Sequence, residues 1–175
     1  MVRTLKTEGI VLKKKSLLNT DKLIIFLTPK YGKITTFAKG IKRITSRRLP
    51  HTQTANLVFL QAQRRNDRLY LGETTLLSGF SQIKKDEAKS NCLYLMFFIL
   101  DRLIPAEQED ERLYRLVKYF LVTLSKNTGA TGDFFTDYLN LILSYLGYTH
   151  EKKSFNELRF TIEELIHEKF PRISI

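Results

Sequence analysis

The stretch DKLIIFLTPKYGKITTFAKG, residues 21–40, decides the fold. Lys22–Thr28 and Lys33–Ala38 are short apolar runs rich in β-branched and aromatic side chains. Between them Pro29-Lys30-Tyr31-Gly32 is a turn signal, because proline presets φ at its start and glycine tolerates a positive φ at its end. Two runs too short for helices, separated by such a turn, predict two β-strands. Thr7–Leu12 precedes them as another strand. Thr54–Gln63 and Leu69–Thr75 follow, joined by Arg65-Asn66-Asp67, which predicts a hairpin. Five short strands without a helical stretch between them predict a small closed or partly closed barrel, for which the OB-fold is the five-stranded candidate. The longest gap, Ile44 to His51, is basic and contains Pro50, so a loop or a single helical turn is expected there.

After Phe80 the apolar period becomes helical. Glu87 to Ile104 is apolar on nearly every face and predicts a helix buried in a bundle, stopped by Pro105. Glu107, Glu109, Asp110 and Glu111 are expected to be the acidic first turn of a second helix, complementing its dipole and continuing through Leu113, Leu116, Val117, Phe120, Leu121 and Leu124. Asn127 to Gly132 is a loop. Phe134 to Leu146 forms a third helix ended by Gly147. Ser154-Phe155-Asn156-Glu157 is a capping box for a fourth, running to about Lys169. The expected fold class is α+β: an N-terminal five-stranded OB-fold β-barrel over residues 1–80, then an all-α helical domain over residues 81–175.

Charge divides the chain at the same place. Residues 1–80 carry 16 Lys/Arg against four acids, a net +12, whereas residues 81–175 carry 13 against 14. So concentrated a positive charge attracts polyanions, although a basic surface kept for solubility would share the composition. Hydrophobic residues make up 43%, enough for a core. A single cysteine, Cys92, excludes an intramolecular disulfide and a cysteine-cluster zinc site, and implies a reducing compartment. No leader-like apolar segment opens the chain, and the longest apolar run, Cys92 to Leu100, is too short to span a bilayer. These features predict a cytoplasmic protein that binds no membrane.

No phosphate-cradling glycine loop, His-Glu-x-x-His or Cys-x-x-Cys is present, and His51, His150 and His167 are scattered. An enzyme is not expected, nor a cofactor or metal. The basic residues are better organised. Lys13, Lys14 and Lys15 follow the first strand; Lys39, Lys42, Arg43, Arg47 and Arg48 follow the third; Arg64, Arg65 and Arg68 surround the last hairpin; Lys33 opens the third strand. Clusters at strand ends can converge on one rim of a barrel and track a phosphate backbone. The interleaved aromatics Tyr31, Phe37 and Tyr70 either stack bases or fill the core. Phe37 is expected in the core, and Tyr31, beside Gly32, is expected to stack.

These residues resemble the RecO family. Thr7-Glu8-Gly9-Ile10-Val11-Leu12 resembles its first strand. Asp21-Lys22-Leu23 with Phe26-Leu27-Thr28, then Tyr31-Gly32-Lys33-Ile34, resembles the second and third. Ala38-Lys39-Gly40-Ile41-Lys42-Arg43 with Ser46-Arg47 resembles its basic signature, and Leu146-Gly147-Tyr148 the end of its central helical hairpin. The resemblance implies an OB-fold and a helical domain, and a non-enzymatic role: binding single- and double-stranded DNA, annealing strands, and working with RecR to load RecA onto strands coated by single-strand-binding protein. It also implies that the helical domain receives the acidic, apolar tail of single-strand-binding protein. Lys84, Lys85, Lys89, Arg102, Arg112, Arg115 and Lys118 are candidates to flank such a groove, or else ordinary solvated charges. Many family members carry a cysteine cluster, often zinc-binding, before the last helix. Here Tyr148 to Lys153 runs almost directly into Ser154, so that module and its zinc are not expected, and tail binding is expected to be weak. The same basic barrel also suits an OB-fold RNA-binding or ribosome-associated protein, or a scaffold whose helical half carries the function.

Overall fold

Alternation of apolar and polar residues gives each of the N-terminal strands one face to bury, and the strands close around that face. The computed structural model describes residues 3–43 and 46–173. Ile44 and Thr45, the first residues of the expected loop, lie outside the described residues. Strands β1 (Arg3–Ser16), β2 (Lys22–Thr28), β3 (Gly32–Ala38), β4 (Leu57–Arg65) and β5 (Arg68–Ser78) form a closed barrel in the order β1-β2-β3-β5-β4. Every pair is antiparallel except β3–β5. Five strands closed in this order make an OB-fold barrel. Its core is Leu5, Val11, Ile24, Phe26, Ile34, Val58, Leu60, Leu69 and Leu71 with smaller neighbours, and Leu49 packs against it.

Two strand expectations need correction. β1 does not stop at Leu12 but runs to Ser16, so Lys13, Lys14 and Lys15 lie on the strand rather than after it. A bulge between Val11 and Lys13 lets Val11 and Leu12 both be buried while the strand continues along β2. β4 starts at Leu57 rather than Thr54. Asn56 donates its side-chain amide to the carbonyls of Pro50 and His51, at 3.0 and 2.9 Å, and Ala55 has φ +67°, so this segment is a turn. The last hairpin is as expected: Asn66 and Asp67 both have positive φ, the geometry of a tight two-residue β-turn.

The β3–β5 seam is short, with only Thr36↔Leu69 and Phe37↔Tyr70 in register. Beyond it each strand has an edge to cover. The single-turn helix α1 (Arg48–His51) covers β5: Arg48 donates to the Leu71 carbonyl at 2.8 Å, and His51 Nδ1 lies 2.9 Å from the Thr74 carbonyl. On β3, the Lys33 carbonyl accepts the Glu107 N–H at 2.9 Å.

That second contact shows that the chain returns to the barrel. One compact unit comprises Met1–Phe80 with Pro105–Arg115, and the other Ser81–Ile104 with Leu116–Ile175. The returning segment passes so close to the β2–β3 turn that a Cβ on Gly32, whose φ is +60°, would stand 1.9 Å from the Gln108 carbonyl oxygen. Tyr114 donates to Glu8 at 3.0 Å, and burial together with that carboxylate holds its phenol well above the ordinary range. The acidic run is therefore not the first turn expected. Only Glu111 lies in that turn; Asp110 caps it by accepting the Leu113 N–H at 2.8 Å, and Glu107 belongs to the barrel's edge.

The helices are α2 (Ser81–Lys84), α3 (Glu87–Leu103), α4 (Glu111–Lys126), α5 (Thr131–Tyr145) and α6 (Phe155–Ile166). α3 buries Cys92, Leu93, Leu95, Met96, Phe97, Ile99 and Leu100, and burial pushes the Cys92 thiol up to about 12, with the Asp86 carboxylate adding to it. Gly147, at φ +81°, closes α5: the Tyr148 N–H reaches back to the Leu143 carbonyl at 2.9 Å. The capping box of α6 is present at Ser154 and Glu157. α6 ends at Ile166 rather than Lys169, because His167 turns left-handed and Glu163 accepts the Phe170 N–H at 2.9 Å.

Candidate nucleic-acid interface

The loop between β3 and α1 is built around its own cations. Gly40 takes φ +62° and donates its N–H to Asp21 at 2.7 Å. Lys42 donates its ammonium to the Leu17 and Asn19 carbonyls at 3.0 and 2.9 Å, tying this loop to the β1–β2 turn. Arg48 spans the diverging seam, donating to Lys39 O at 2.7 Å as well as to Leu71 O. Lys42 and Arg48 therefore hold backbone. Hydrogen bonds from a charged donor to main-chain carbonyls each contribute about 1.5–3 kcal/mol when well sheltered, less here because the groups are partly exposed.

Lys39, Gly40, Arg43, Ser46, Arg47 and Arg48 line an open recess of about 350 Å³. Arg43 and Arg47 are exposed and pair with no carboxylate among the described residues. With no acid to neutralise them, they suit an anion in the recess, and guanidinium groups present forked donors to phosphate.

Beside the recess lies an aromatic pair. Because β3 alternates, Ile34, Thr36 and Ala38 point inward and Phe37 points outward, so the expectation that Phe37 fills the core is wrong. Its ring packs against Tyr70, its register partner across the seam, with centroids 5.9 Å apart. The Lys39 ammonium lies 5.0 Å from the Tyr70 centroid, and the Arg68 guanidinium 5.4 Å from that of Phe37. This alternation of rings and cations is the feature sequence reasoning missed at Phe37, although the period of two was there to read.

The remaining barrel candidates divide. Register places the Lys13–Lys15 end of β1 beside Lys22, and Lys22 beside Ala38, so this cluster lies at the same barrel end as Lys39. Lys14 is hydrogen-bonded to Gln53, and burial, with Lys22 nearby, lowers its pKa. Tyr31 and Lys33 lie at the opposite end of β3. Arg64 is paired with Glu107 at 3.0 Å, and Arg65 donates to Gln63 at 2.7 Å. The clusters thus do not all meet on one rim: the recess, Arg68 and the lysines of β1 are the part brought nearest together.

Residues 1–80, the segment that supplies every strand of this barrel, match the family model described as "Recombination protein O N terminal". The DNA repair protein RecO of Thermoanaerobacter sp. is 31% identical over 150 residues, which cover 84% of this chain and 59% of the relative. That of Caldanaerobacter subterraneus is 30% identical over 150 residues, covering 84% and 60%. That of Clostridium acetobutylicum is 31% identical over 148 residues, covering 82% and 57%. The chain belongs to the RecO family. It spans about three fifths of the length of these curated relatives.

The cations of the helical segments are mostly engaged. Arg102 pairs with Glu168 at 2.7 Å and lies 3.5 Å from the Phe98 ring centroid. Lys89 donates to the Ser125 carbonyl at 3.5 Å, and Arg115 pairs with Glu111 at 2.7 Å. Arg112 and Arg115 belong to the barrel unit, and Lys84, Lys85, Lys89, Arg102 and Lys118 to the helical one. No group of residues able to hold a metal ion occurs among the described residues, and no helix among them is long and apolar enough to cross a membrane.

Proposed function

We propose that this chain acts in DNA repair as a non-enzymatic mediator, binding single- and double-stranded DNA through the barrel of residues 1–80 and promoting annealing of complementary strands. The observation that carries this reading is the recess edged by Lys39, Arg43 and Arg47, whose guanidinium groups have no carboxylate partner among the described residues. Membership of a family whose relatives are named DNA repair proteins supports it. On this reading RecR and, through it, RecA are partners, the tail of single-strand-binding protein binds weakly to the helical unit of Ser81–Ile104 with Leu116–Ile175, and the protein works in the cytoplasm without a cofactor.

Binding through phosphates releases counterions. About five contacts give a slope of roughly −3.5 for log K against log salt on single strands. The decisive experiment is annealing of complementary oligonucleotides coated with single-strand-binding protein. A mediator accelerates it; a chain that binds DNA yet leaves the annealing rate unchanged is a simple binder, and affinity indifferent to salt removes the phosphate-tracking barrel.

A further inference from the structure

We infer that Phe37 and Tyr70 form a base-stacking platform, so that the barrel takes unpaired nucleotides in preference to duplex; this rests on the nucleic-acid reading above. Strand register fixes the pair: the two are partners in the parallel seam, on the outer face, with ring planes inclined by 39°. Neither belongs to the barrel core, which is filled without them. The Tyr70 hydroxyl makes no hydrogen bond among the described residues, so the ring is not held there by its polar end.

The cations on the rings show how a base is accepted. Lys39 and Arg68 lie over Tyr70 and Phe37 in the protein alone. Both rings are half-buried, each keeping part of its surface open to solvent, and a cation–π contact at such a surface contributes less than a base stacked on an aromatic ring, so an incoming base displaces the cation. The released side chain stays within its own length of that ring, where the phosphate of the same nucleotide must lie. Base replaces cation on the ring, and cation meets phosphate beside it. Lys39 also lines the recess with Arg43 and Arg47, so the phosphate next along the strand has its cations in place. A duplex offers only its backbone, because its base faces are stacked on one another. Every base has a π-face, so the platform selects unpaired strands without selecting sequence.

The test uses the full chain with Phe37→Leu and Tyr70→Leu, which keep apolar volume and remove the ring, and Tyr70→Phe, which keeps the ring. Each is titrated with an oligo-dT strand, an abasic strand of equal length and a duplex. The leucine variants are expected to bind oligo-dT ~10-fold more weakly, while Tyr70→Phe, the abasic strand and the duplex change by less than about twofold. Leucine variants that bind oligo-dT like the parent, or that lose all three ligands alike, overturn the platform. A strand carrying 2-aminopurine provides a readout independent of the variants: quenching by the parent protein supports stacking, and unquenched bound strand overturns it. If oligo-dT and abasic strands bind the parent equally, with a steep salt dependence, the platform falls and the phosphate-binding reading stands. If no ligand binds, both fall.

Discussion

Arg43, on the loop after β3, and Arg102, at the end of α3, carry the same side chain into opposite surroundings. Arg102 has a carboxylate at 2.7 Å and a phenyl ring under it, so its charge and its plane are both used inside the helical unit. Arg43 lines an open recess, with no acid beside it among the described residues. The difference follows from composition: acids match cations almost one for one after Phe80, whereas the first eighty residues have a fourfold excess of cations. A cation without a local acid keeps its attraction for a distant anion, and one already paired contributes to stability instead. The barrel adds a third condition. Lys42 and Arg48 pair with no acid among the described residues either, yet they donate to main-chain carbonyls.

Four substitutions press on this contrast. The largest effect is expected at Arg48. Arg48→Ala removes the bonds to the Lys39 and Leu71 carbonyls across the seam and should lower the stability of the barrel by about 2–3 kcal/mol in denaturant titration. An unchanged midpoint would return Arg48 to the binding group. Next comes Arg43→Ala with Arg47→Ala. This pair should weaken single-strand binding by roughly 10- to 30-fold while shifting stability by less than about 0.5 kcal/mol, since neither side chain holds structure. Arg102→Ala should do the reverse, with affinity for DNA unchanged and a loss of about 1 kcal/mol from the separated ion pair and ring contact. A drop in DNA affinity there would break the contrast outright.

The smallest effect belongs to the helical unit alone. Ser154→Ala removes the hydroxyl of the α6 capping box and should lower stability slightly at neutral pH, less than any change above. The hydroxyl and N–H of Ser154 hold the Glu157 carboxyl below the usual carboxylate range. A carboxyl whose folded value is depressed stabilises the fold above its unfolded value, and that contribution is lost as pH falls through the folded one. The difference between parent and variant should therefore persist at pH 7 and shrink below about pH 4, which melting curves across that range will show.

Much of this was legible from periodicity. The turn between β2 and β3 is legible in Pro29 and Gly32, the last hairpin in Asn66-Asp67, and the helix ends in Gly147 and Ser154, because each is a local requirement on φ or on an unpaired N–H. Phe37 was misjudged because its apolar character outweighed its phase, which put it outside with Lys33 and Thr35. The roles of Lys42 and Arg48 had no local signature at all: their acceptors, Leu17, Asn19 and Leu71, are carbonyls that any residue supplies, 23 to 25 positions away along the chain. Pro105–Arg115 escaped for a related reason. Its tie to β3 is main chain to main chain at Glu107, and its acids fit a helix start just as well.

That returning segment bears on how the protein is made. A ribosome delivers all five strands by Phe80, but the pieces that cover Lys33 and meet Glu8 are Glu107 and Tyr114. For the roughly 2–7 s needed to add residues 81–115 at ordinary elongation rates, the nascent barrel waits with one edge of β3 bare. Nascent chains arrested with residue 80 just clear of the exit tunnel should be cut by protease near the β2–β3 turn, and those arrested with residue 115 clear should resist.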